Sequence, residues 1–243
     1  MTSTQPARPL GNPVTAAPPV QLRPMTRGDL AFVAEQHRLC FPTNVIGRLG
    51  DVALRAYYRT FIDAPYATAV VAELDGRACG FLVGIVHTAR HRSWLRRHHV
   101  RSFAAAVCAS FAANPTLAAR LVGRRVSMQL HRYRQASRRG PSPAAAPVGT
   151  DADVRGGVAV LSHIATLATA RRRGVGDLLV QAFVVECRVR HCRKISLATL
   201  EGELGAGSWY VKRGWEQQSR RQTIDGRWIE LYDFKLKTGG SVS

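Results

Sequence analysis

Residues 164–176 decide the fold, and they read Ile-Ala-Thr-Leu-Ala-Thr-Ala-Arg-Arg-Arg-Gly-Val-Gly. A short apolar run ends in a turn that carries three arginines and two glycines, and residues 177–183 continue with helical spacing. The first turn of a helix leaves backbone N–H groups unpaired, and the helix dipole adds partial positive charge there. Gly174 and Gly176 have no Cβ, so phosphate oxygens can approach the backbone. The pattern therefore predicts a phosphate or pyrophosphate site on an α/β core.

The segments after this turn predict a strand, a short helix and a hairpin. A helix of about four turns is predicted over 176–191, followed by a buried strand over 195–200. Residues 206–215 read Ala-Gly-Ser-Trp-Tyr-Val-Lys-Arg-Gly-Trp, where Gly214 is expected just past a helix end. Two further strands, 217–223 and 228–235, flank Asp225-Gly226, which is a strong hairpin signal.

The amino-terminal part predicts a strand, a helix entry and a second hairpin. Residues 20–30 read Val-Gln-Leu-Arg-Pro-Met-Thr-Arg-Gly-Asp-Leu, in which Thr26 and Asp29 are candidate helix caps. Apolar runs over 67–74 and 78–87 are joined by Asp75-Gly76. Pattern reasoning thus places strands on both sides of the arginine-rich turn.

Taken together, these segments resemble the GNAT superfamily of N-acetyltransferases. Arg171-x-x-Gly174-x-Gly176 resembles its R/Q-x-x-G-x-G/A signature, and residues 206–215 resemble A-x-x-F-Y-x-x-x-G-F with tryptophan in both phenylalanine places. The resemblance covers about 20–87 and 156–237. It implies an α/β fold with a mixed, largely antiparallel sheet, flanking helices, a V-shaped opening at the cofactor turn, and a basic helical insert between strands 3 and 4.

The resemblance also implies an acetyl-CoA-dependent N-acetyltransferase that uses direct transfer and no metal. Backbone groups along the fourth strand would pair with the pantetheine amides, and the turn would hold the pyrophosphate. Tyr210 matches the tyrosine that serves as general acid in the family, although a core aromatic beside Trp209 is the alternative. The implied cofactor-binding residues are Ile164, Ala165, Thr166, Arg171, Arg172, Arg173, Gly174, Val175, Gly176 and Asp177. Asp177 departs from the family pattern because it places a negative side chain at a phosphate site. This side chain can face solvent or cap the helix while its N–H still faces the phosphate.

The general base stays open at this stage. The strand over 158–166 offers Ser162 and His163 and no carboxylate, so His163, Glu201, Glu203 and water are all candidates. His163 is either a base or water relay that titrates near neutrality, or a packed or solvent-facing histidine beside a strand bulge. Glu203 stands where the family has an asparagine.

The acceptor is expected between the first helices and the last hairpin. There 41–44 and 49–58 form the wall, with Asp51, Tyr57 and Tyr58 as candidate contacts or as packing residues. We expect a small-molecule amine, such as an amino sugar or a specialised metabolite. A protein or peptide amine is the second reading, and a degenerate fold that serves as a membrane- or partner-binding module is the third.

Composition bounds the remaining organisation. The chain has 243 residues, no apolar run of membrane-spanning length, and five cysteines without C-x-x-C spacing, which favours free thiols in a reducing cytoplasm. Residues 1–19 read as a disordered tail without a secretory signal, 20–237 as one acetyltransferase domain, and 238–243 as a second tail. A homo-oligomer is compatible with this composition.

Positive charge is concentrated between strands 3 and 4. No Asp or Glu lies between Asp75 and Asp151, whereas thirteen arginines lie between Arg77 and Arg139, in a chain of formal net charge +19. The insert is predicted over 88–155, with one helix over 94–113, a second to about residue 134, and a linker after it. Its 88–140 part is either a solvated basic cap or a contact for an anionic surface or carrier. Nucleic acid is disfavoured because no helix-turn-helix, zinc-finger or RNA-binding signature is present.

Overall fold

A computed structural model describes residues 19–42, 44–113, 157–202, 205–223 and 226–236. The predicted tails, the second helix of the insert and its linker up to residue 156 lie outside the described residues. Seven helices and seven strands are described. The strands are β1 (Gln21–Pro24), β2 (Ala67–Leu74), β3 (Arg77–Ile85), β4 (Val158–Thr166), β5 (Lys194–Leu200), β6 (Glu216–Gln222) and β7 (Trp228–Lys235). The helices are α1 (Leu30–Cys40), α2 (Val45–Arg48), α3 (Asp51–Asp63), α4 (Thr88–His98), α5 (Val100–Ala113), α6 (Val175–Val189) and α7 (Gly207–Val211).

The strands form one sheet in the order β1-β2-β3-β4-β5-β7-β6. Every neighbouring pair is antiparallel except β4 and β5, which run parallel. The predicted mixed, largely antiparallel sheet is therefore confirmed. Asp75 (φ 54°) and Gly76 (φ 70°) both have positive φ at the β2–β3 turn, as the Asp-Gly pair predicted.

The two central strands pair over only three residues. The parallel register runs from Val158 opposite Lys194 to Val160 opposite Ser196, and then the strands diverge. The rest of β4 stays paired with β3 up to Thr166, and β5 stays paired with β7 up to Leu200. The sheet thus has a V-shaped opening between β4 and β5, whose apex is the Val160–Ser196 pair.

Helices cover the sheet on both faces and define two cores. On one face, α6 and α7 pack on the sheet around Leu179, Phe183 and Tyr210. On the other face, α1 and α3 pack on β2, β3 and β4 around Leu54 and Tyr58. We call this second face of the sheet the acceptor face, because the predicted acceptor wall lies there.

A close approach between α6 and the sheet depends on Gly84 in β3. A Cβ built at this position would lie 2.3 Å from Phe183 Cζ, so a side chain cannot be accommodated without moving a fully buried ring. Gly84 therefore allows α6 to pack closely against β3. This packing sets the position of α6, whose first turn follows the arginine-rich segment.

The beginning of the insert differs from its prediction. One helix was expected over 94–113, and the structure has two, α4 and α5, which are separated at His99. The arginine-rich residues 90–93 lack apolar periodicity, so the earlier start at Thr88 was not predicted. His99 lies 3.7 Å from the Asp63 carboxylate of α3, a tertiary contact at the position of the break.

Candidate functional site

The arginine-rich turn over residues 171–177 leads into the start of α6, and we call it the cradle. After β4 comes a short 3-10 turn over Ala168–Ala170, then Arg171, Arg172 and Arg173, all exposed. Gly174 has φ 76° and ψ 0° at the helix N-cap position. Its carbonyl accepts from Leu178 N–H at 3.0 Å, so the N–H groups of 175–177 precede the helical hydrogen-bond ladder.

The cradle has room for an anion. Among the residues that the structure describes, none beyond the immediate chain neighbours has an atom within 4 Å of a Cβ built at Gly174, so the described part of the chain leaves this space open. Val175, in contrast, is buried at 1% exposure and anchors the helix start in the core. The turn combines three guanidinium groups, open space and the N-terminus of a fifteen-residue helix. This combination suits a pyrophosphate.

The edge of β4 leads from the cradle into the V-shaped opening. Ala165 pairs with Phe81, and Leu167 N–H donates to Cys79 C=O at 2.8 Å, so these two residues direct their backbone groups toward β3. Because backbone groups alternate along a strand, Ile164 and Thr166 direct theirs toward the opening. Of the three residues predicted to meet an extended amide chain, Ile164 and Thr166 have suitable backbone orientation, and Ala165 is committed to the sheet.

Asp177 pairs with a distant arginine. Its carboxylate is held by Arg213, with Nη2 to Oδ2 at 2.8 Å and Nε to Oδ1 as the second contact. The side chain stays 37% exposed, so it is partly open to solvent, as one of the two expectations had it, and is paired as well. The Arg213 guanidinium lowers the pKa of the Asp177 carboxyl. This pairing neutralises the one acidic side chain in the first turn of α6, which removes an objection to anion binding there.

Arg213 also joins α6 to the short helix that carries Tyr210. Its guanidinium carbon lies 3.8 Å from the centre of the Trp209 ring, and Nη1 donates to Trp209 C=O at 3.1 Å. Helix α7 has five residues and ends in a Schellman motif, with Trp215 N–H donating to Tyr210 C=O and Gly214 at φ 83°. The predicted glycine just past the helix end is therefore confirmed.

Tyr210 is buried at 4% exposure beneath the sheet's α6 face. The rings of Trp209, Trp215 and Tyr232 surround it at centroid distances of 4.9, 5.3 and 6.2 Å. Burial raises the pKa of its phenol, so Tyr210 is protonated at neutral pH. A protonated phenol can donate a proton, and it can equally serve as a packing residue.

His163 lies past the apex on the acceptor face and is packed by aromatic rings. The rings of His37, Phe41, Tyr57 and Tyr58 lie 5.0 to 5.9 Å from it. Burial lowers the pKa of His163 to about 3, so of the two alternatives the structure favours the packed histidine. Its imidazole is neutral at pH 7 and is a weak base.

The acceptor wall contains one compact polar group. Asn44 Nδ2 lies 3.4 Å from His163 Nε2, and Tyr57 Oη lies 3.5 Å from His163 Nδ1. All three residues are partly exposed. Burial raises the pKa of Tyr57, so its hydroxyl is protonated. We call Asn44, Tyr57 and His163 the amide–phenol–imidazole group.

The other predicted wall residues have partners of their own. Tyr58 is fully buried, and its hydroxyl lies 2.7 Å from His37 Nδ1, which makes it a core residue rather than an acceptor contact. Asp51 is held by Arg38 at 2.8 Å and Arg55 at 2.5 Å. Both are therefore better explained by packing and pairing than by acceptor binding.

The sequence also offered Glu201 and Glu203 as candidate bases. The Glu201 carboxylate accepts from Arg220 at 2.6 and 2.9 Å, at the far end of β5. Glu203 lies outside the described residues.

The structure also brings together a pair of residues that the sequence did not reveal. Ser196 and Asp233 lie on adjacent strands, and the Ser196 hydroxyl is 2.5 Å from the Asp233 carboxylate. Each of the two stands between two apolar residues of its strand, Ser196 in β5 and Asp233 in β7, and this was the available signal.

Comparison with known proteins points to one family. Residues 137–215, which include the cradle and Tyr210, match the model of a family described as "Acetyltransferase (GNAT) family". Over these residues the chain is therefore similar to the GNAT acetyltransferases, and the fold described above agrees with that similarity. No curated protein sequence matches it.

Solved structures with this fold include acetyltransferases of several kinds. The ribosomal-protein-S18-alanine N-acetyltransferase from Escherichia coli is 12% identical with a TM-score of 0.51, covering 92% of this chain and 98% of that one. Arabidopsis thaliana NAA60, solved with acetyl-CoA, is 13% identical with a TM-score of 0.52, covering 90% and 99%. An aminoglycoside 6'-N-acetyltransferase complexed with coenzyme A is 12% identical with a TM-score of 0.51, covering 88% and 96%. At such identities the likeness establishes the shared fold.

Other features were searched in the same residues. No cluster of three metal-ligating side chains occurs within the described ranges. Among the described helices, none combines the length and apolarity that a membrane crossing requires. All five cysteines are free thiols, as predicted.

Proposed function

We propose that this protein is a GNAT acetyltransferase that transfers an acetyl group from acetyl-CoA directly to a small-molecule amine. The observation that carries the proposal is the V-shaped opening, which has the cradle at one end and access from the acceptor face. A donor in this opening would present its thioester to an acceptor from the other side of the sheet. No covalent enzyme intermediate is then needed.

The cradle would hold the pyrophosphate of the donor. Arg171, Arg172 and Arg173 supply charge, and the N–H groups of 175–177 supply directed donors. The outward-facing backbone groups of Ile164 and Thr166 would bind the pantetheine amides as an added strand does. Acetyl-CoA brings an activated acetyl thioester, and these residues orient it and restrict its motion.

Tyr210 would protonate the leaving sulfur. Its burial keeps the phenol protonated at neutral pH, which is the state that a general acid requires. Its helix is tied to the first turn of α6 by the Asp177–Arg213 pair. The residue that donates the proton is thus supported by the same segment that would bind the donor.

A small acceptor is favoured by the scale of the acceptor wall. In the amide–phenol–imidazole group, Asn44 and Tyr57 each lie within 3.5 Å of one ring nitrogen of His163, and Phe41 packs against the same ring. Such a group suits local recognition of one amine-bearing ring or chain, whereas an extended peptide needs contacts along its length.

The experiment combines donor binding with an acceptor screen. Mass spectrometry of the purified protein tests for bound coenzyme A, and thiol release is then measured with glucosamine, with tyramine and with an unmodified octapeptide. Turnover of glucosamine or tyramine supports the proposal. Faster turnover of the peptide would make the protein a peptide acetyltransferase, and acetyl-CoA binding without thiol release would favour a non-catalytic module.

The basic surface of α4 and α5 supports a second proposal about location. Arg90, Arg96, Arg97 and Arg101 are all exposed on these two helices. We infer that this face contacts an anionic surface, a membrane leaflet in the first instance, and brings the enzyme near its acceptor.

A further inference from the structure

Ser196 lies at the apex of the V-shaped opening, in the last parallel pair of β4 and β5. Its neighbours Ile195 and Leu197 are buried in the core beneath α6. Because side chains alternate along a strand, the Ser196 hydroxyl points to the acceptor face. It is therefore on the side from which an amine would approach a thioester held in the opening.

The Ser196 hydroxyl donates to a carboxylate that is fixed from two directions. Ser196 Oγ lies 2.5 Å from Asp233 Oδ1, and Lys194 Nζ lies 2.6 Å from Asp233 Oδ2. Ser196 and Asp233 are directly opposite in the β5–β7 register, so the contact is set by the sheet. The hydroxyl proton is committed to Asp233, which leaves the oxygen lone pairs available to accept a hydrogen bond.

This pair supplies a base where His163 and Glu201 do not. His163 is neutral and a weak base, because burial lowers its pKa to about 3. Glu201 is held by Arg220 at the far end of β5. Asp233 is a carboxylate at the apex whose side chain is 15% exposed. Only the Ser196 hydroxyl separates it from the acceptor side.

We propose that Ser196 accepts the N–H proton of the acceptor amine while it passes its own proton to Asp233. The inference rests on the proposed function. As the C–N bond forms and the C–S bond breaks, the nitrogen lone pair is drawn into the new amide, and its extra N–H becomes strongly acidic. A carboxylate is then a sufficient base, even through a hydroxyl.

The proton balance closes without another reactant. Asp233 gains one proton, and the leaving sulfur takes one from Tyr210, so amine and thioester become amide and thiol. Asp233 then releases its proton to water, and Tyr210 regains one from water. Ser196 is the catalytic residue of this relay, and Asp233 and Lys194 are positioning residues that act through it.

The test uses hydroxylamine as the acceptor probe, because it is small and largely neutral at pH 7. Its acetylation therefore reports proton removal during transfer rather than prior deprotonation of an ammonium ion. We expect Ser196→Ala and Asp233→Asn to lower kcat by roughly 10²-fold. Acetyl-CoA affinity, measured by calorimetry, is expected to stay within about twofold, since neither residue lies in the cradle.

Two rescues separate a relay from a structural role. Ser196→Thr keeps the hydroxyl and is expected to retain most of the activity that Ser196→Ala loses. Added formate is expected to restore part of the activity of Asp233→Ala, because a free carboxylate can take the proton. If the Asp233 variants fail to fold, the Ala and Thr variants of Ser196 decide the matter.

Glu216→Gln is the matched control. Glu216 lies opposite Asp233 on the same face, and its carboxylate is likewise paired with a lysine, Lys235, at 2.8 Å, but it is on the edge strand away from the apex. It is expected to leave kcat unchanged. Full kcat in a folded Ser196→Ala variant, or an equal loss in Glu216→Gln, would overturn the relay. A wild type that binds acetyl-CoA and releases no thiol would contradict the proposed function itself.

Discussion

Replacing Gly174 with glutamate is expected to abolish most acetyl-CoA binding while the protein stays folded. The added Cβ meets no obstacle among the described residues, since none beyond the chain neighbours has an atom within 4 Å of it. Its folding cost comes from φ 76°, the left-handed region, and amounts to about 1–2 kcal/mol. For a domain of this size, that corresponds to a fall in Tm of roughly 2–8 °C.

The loss of binding has a larger electrostatic origin. A carboxylate about 6 Å from one phosphate charge costs roughly 0.7 kcal/mol in water and about 3 kcal/mol near a protein surface. Two phosphate charges double this, so Kd is expected to rise by at least about tenfold. The bulk of the side chain in the open space above the turn adds to the loss.

Calorimetry with acetyl-CoA measures this effect, and Gly174→Gln is the control. Glutamine has the same shape and imposes the same backbone strain, so the two variants should share a Tm while their affinities differ. The difference should shrink at high ionic strength, because salt screens the added charge. Unchanged affinity in a folded Gly174→Glu protein would refute the assignment of the cradle.

Three further predictions concern the acid, the amino-terminal ion pair and the basic face. Tyr210→Phe should lower kcat by roughly 10²-fold with little change in the KM for acetyl-CoA, and steady-state kinetics showing an unchanged kcat would make the residue structural. Asp29 has its pKa lowered to about 2, chiefly by Arg23, so it stabilises the fold by about 2 kcal/mol above pH 4 and loses this contribution as the pH falls toward 2. Asp29→Asn should therefore flatten the dependence of Tm on acid pH, whereas an unaltered profile would contradict the linkage. The protein should sediment with anionic liposomes at low salt and be released at high salt. The double variant Arg96→Glu/Arg97→Glu should bind these liposomes more weakly. Equal, negligible binding to neutral and anionic vesicles would contradict the surface proposal.

Local patterns predicted most of the elements to within two residues. The β2 and β7 boundaries match the predicted 67–74 and 228–235, and α6 begins at Val175 against a predicted 176. These segments were predictable because alternation, helical spacing and turn residues act over a few neighbours. The break at His99 was missed because it coincides with a contact to Asp63, 36 residues earlier in the chain.

The sequence by itself predicted a basic turn that leads into a helix. Three consecutive arginines and two nearby glycines indicated it, and in the structure the arginines are exposed and α6 begins directly after Gly174. The same local information identified the short helix of Tyr210 and its closing Gly214. These features could be predicted because they depend only on residues that are close together in the sequence.

Only the tertiary structure decided which polar side chains act together. Asp177 is neutralised by Arg213, and Ser196 meets Asp233, in pairs separated by 36 and 37 residues. His163 is turned from a candidate base into a neutral packed ring by aromatic side chains from α1 and α3. Ionisation and hydrogen bonding depend on the groups within a few ångströms, and strand register and helix packing bring these groups together from distant parts of the chain.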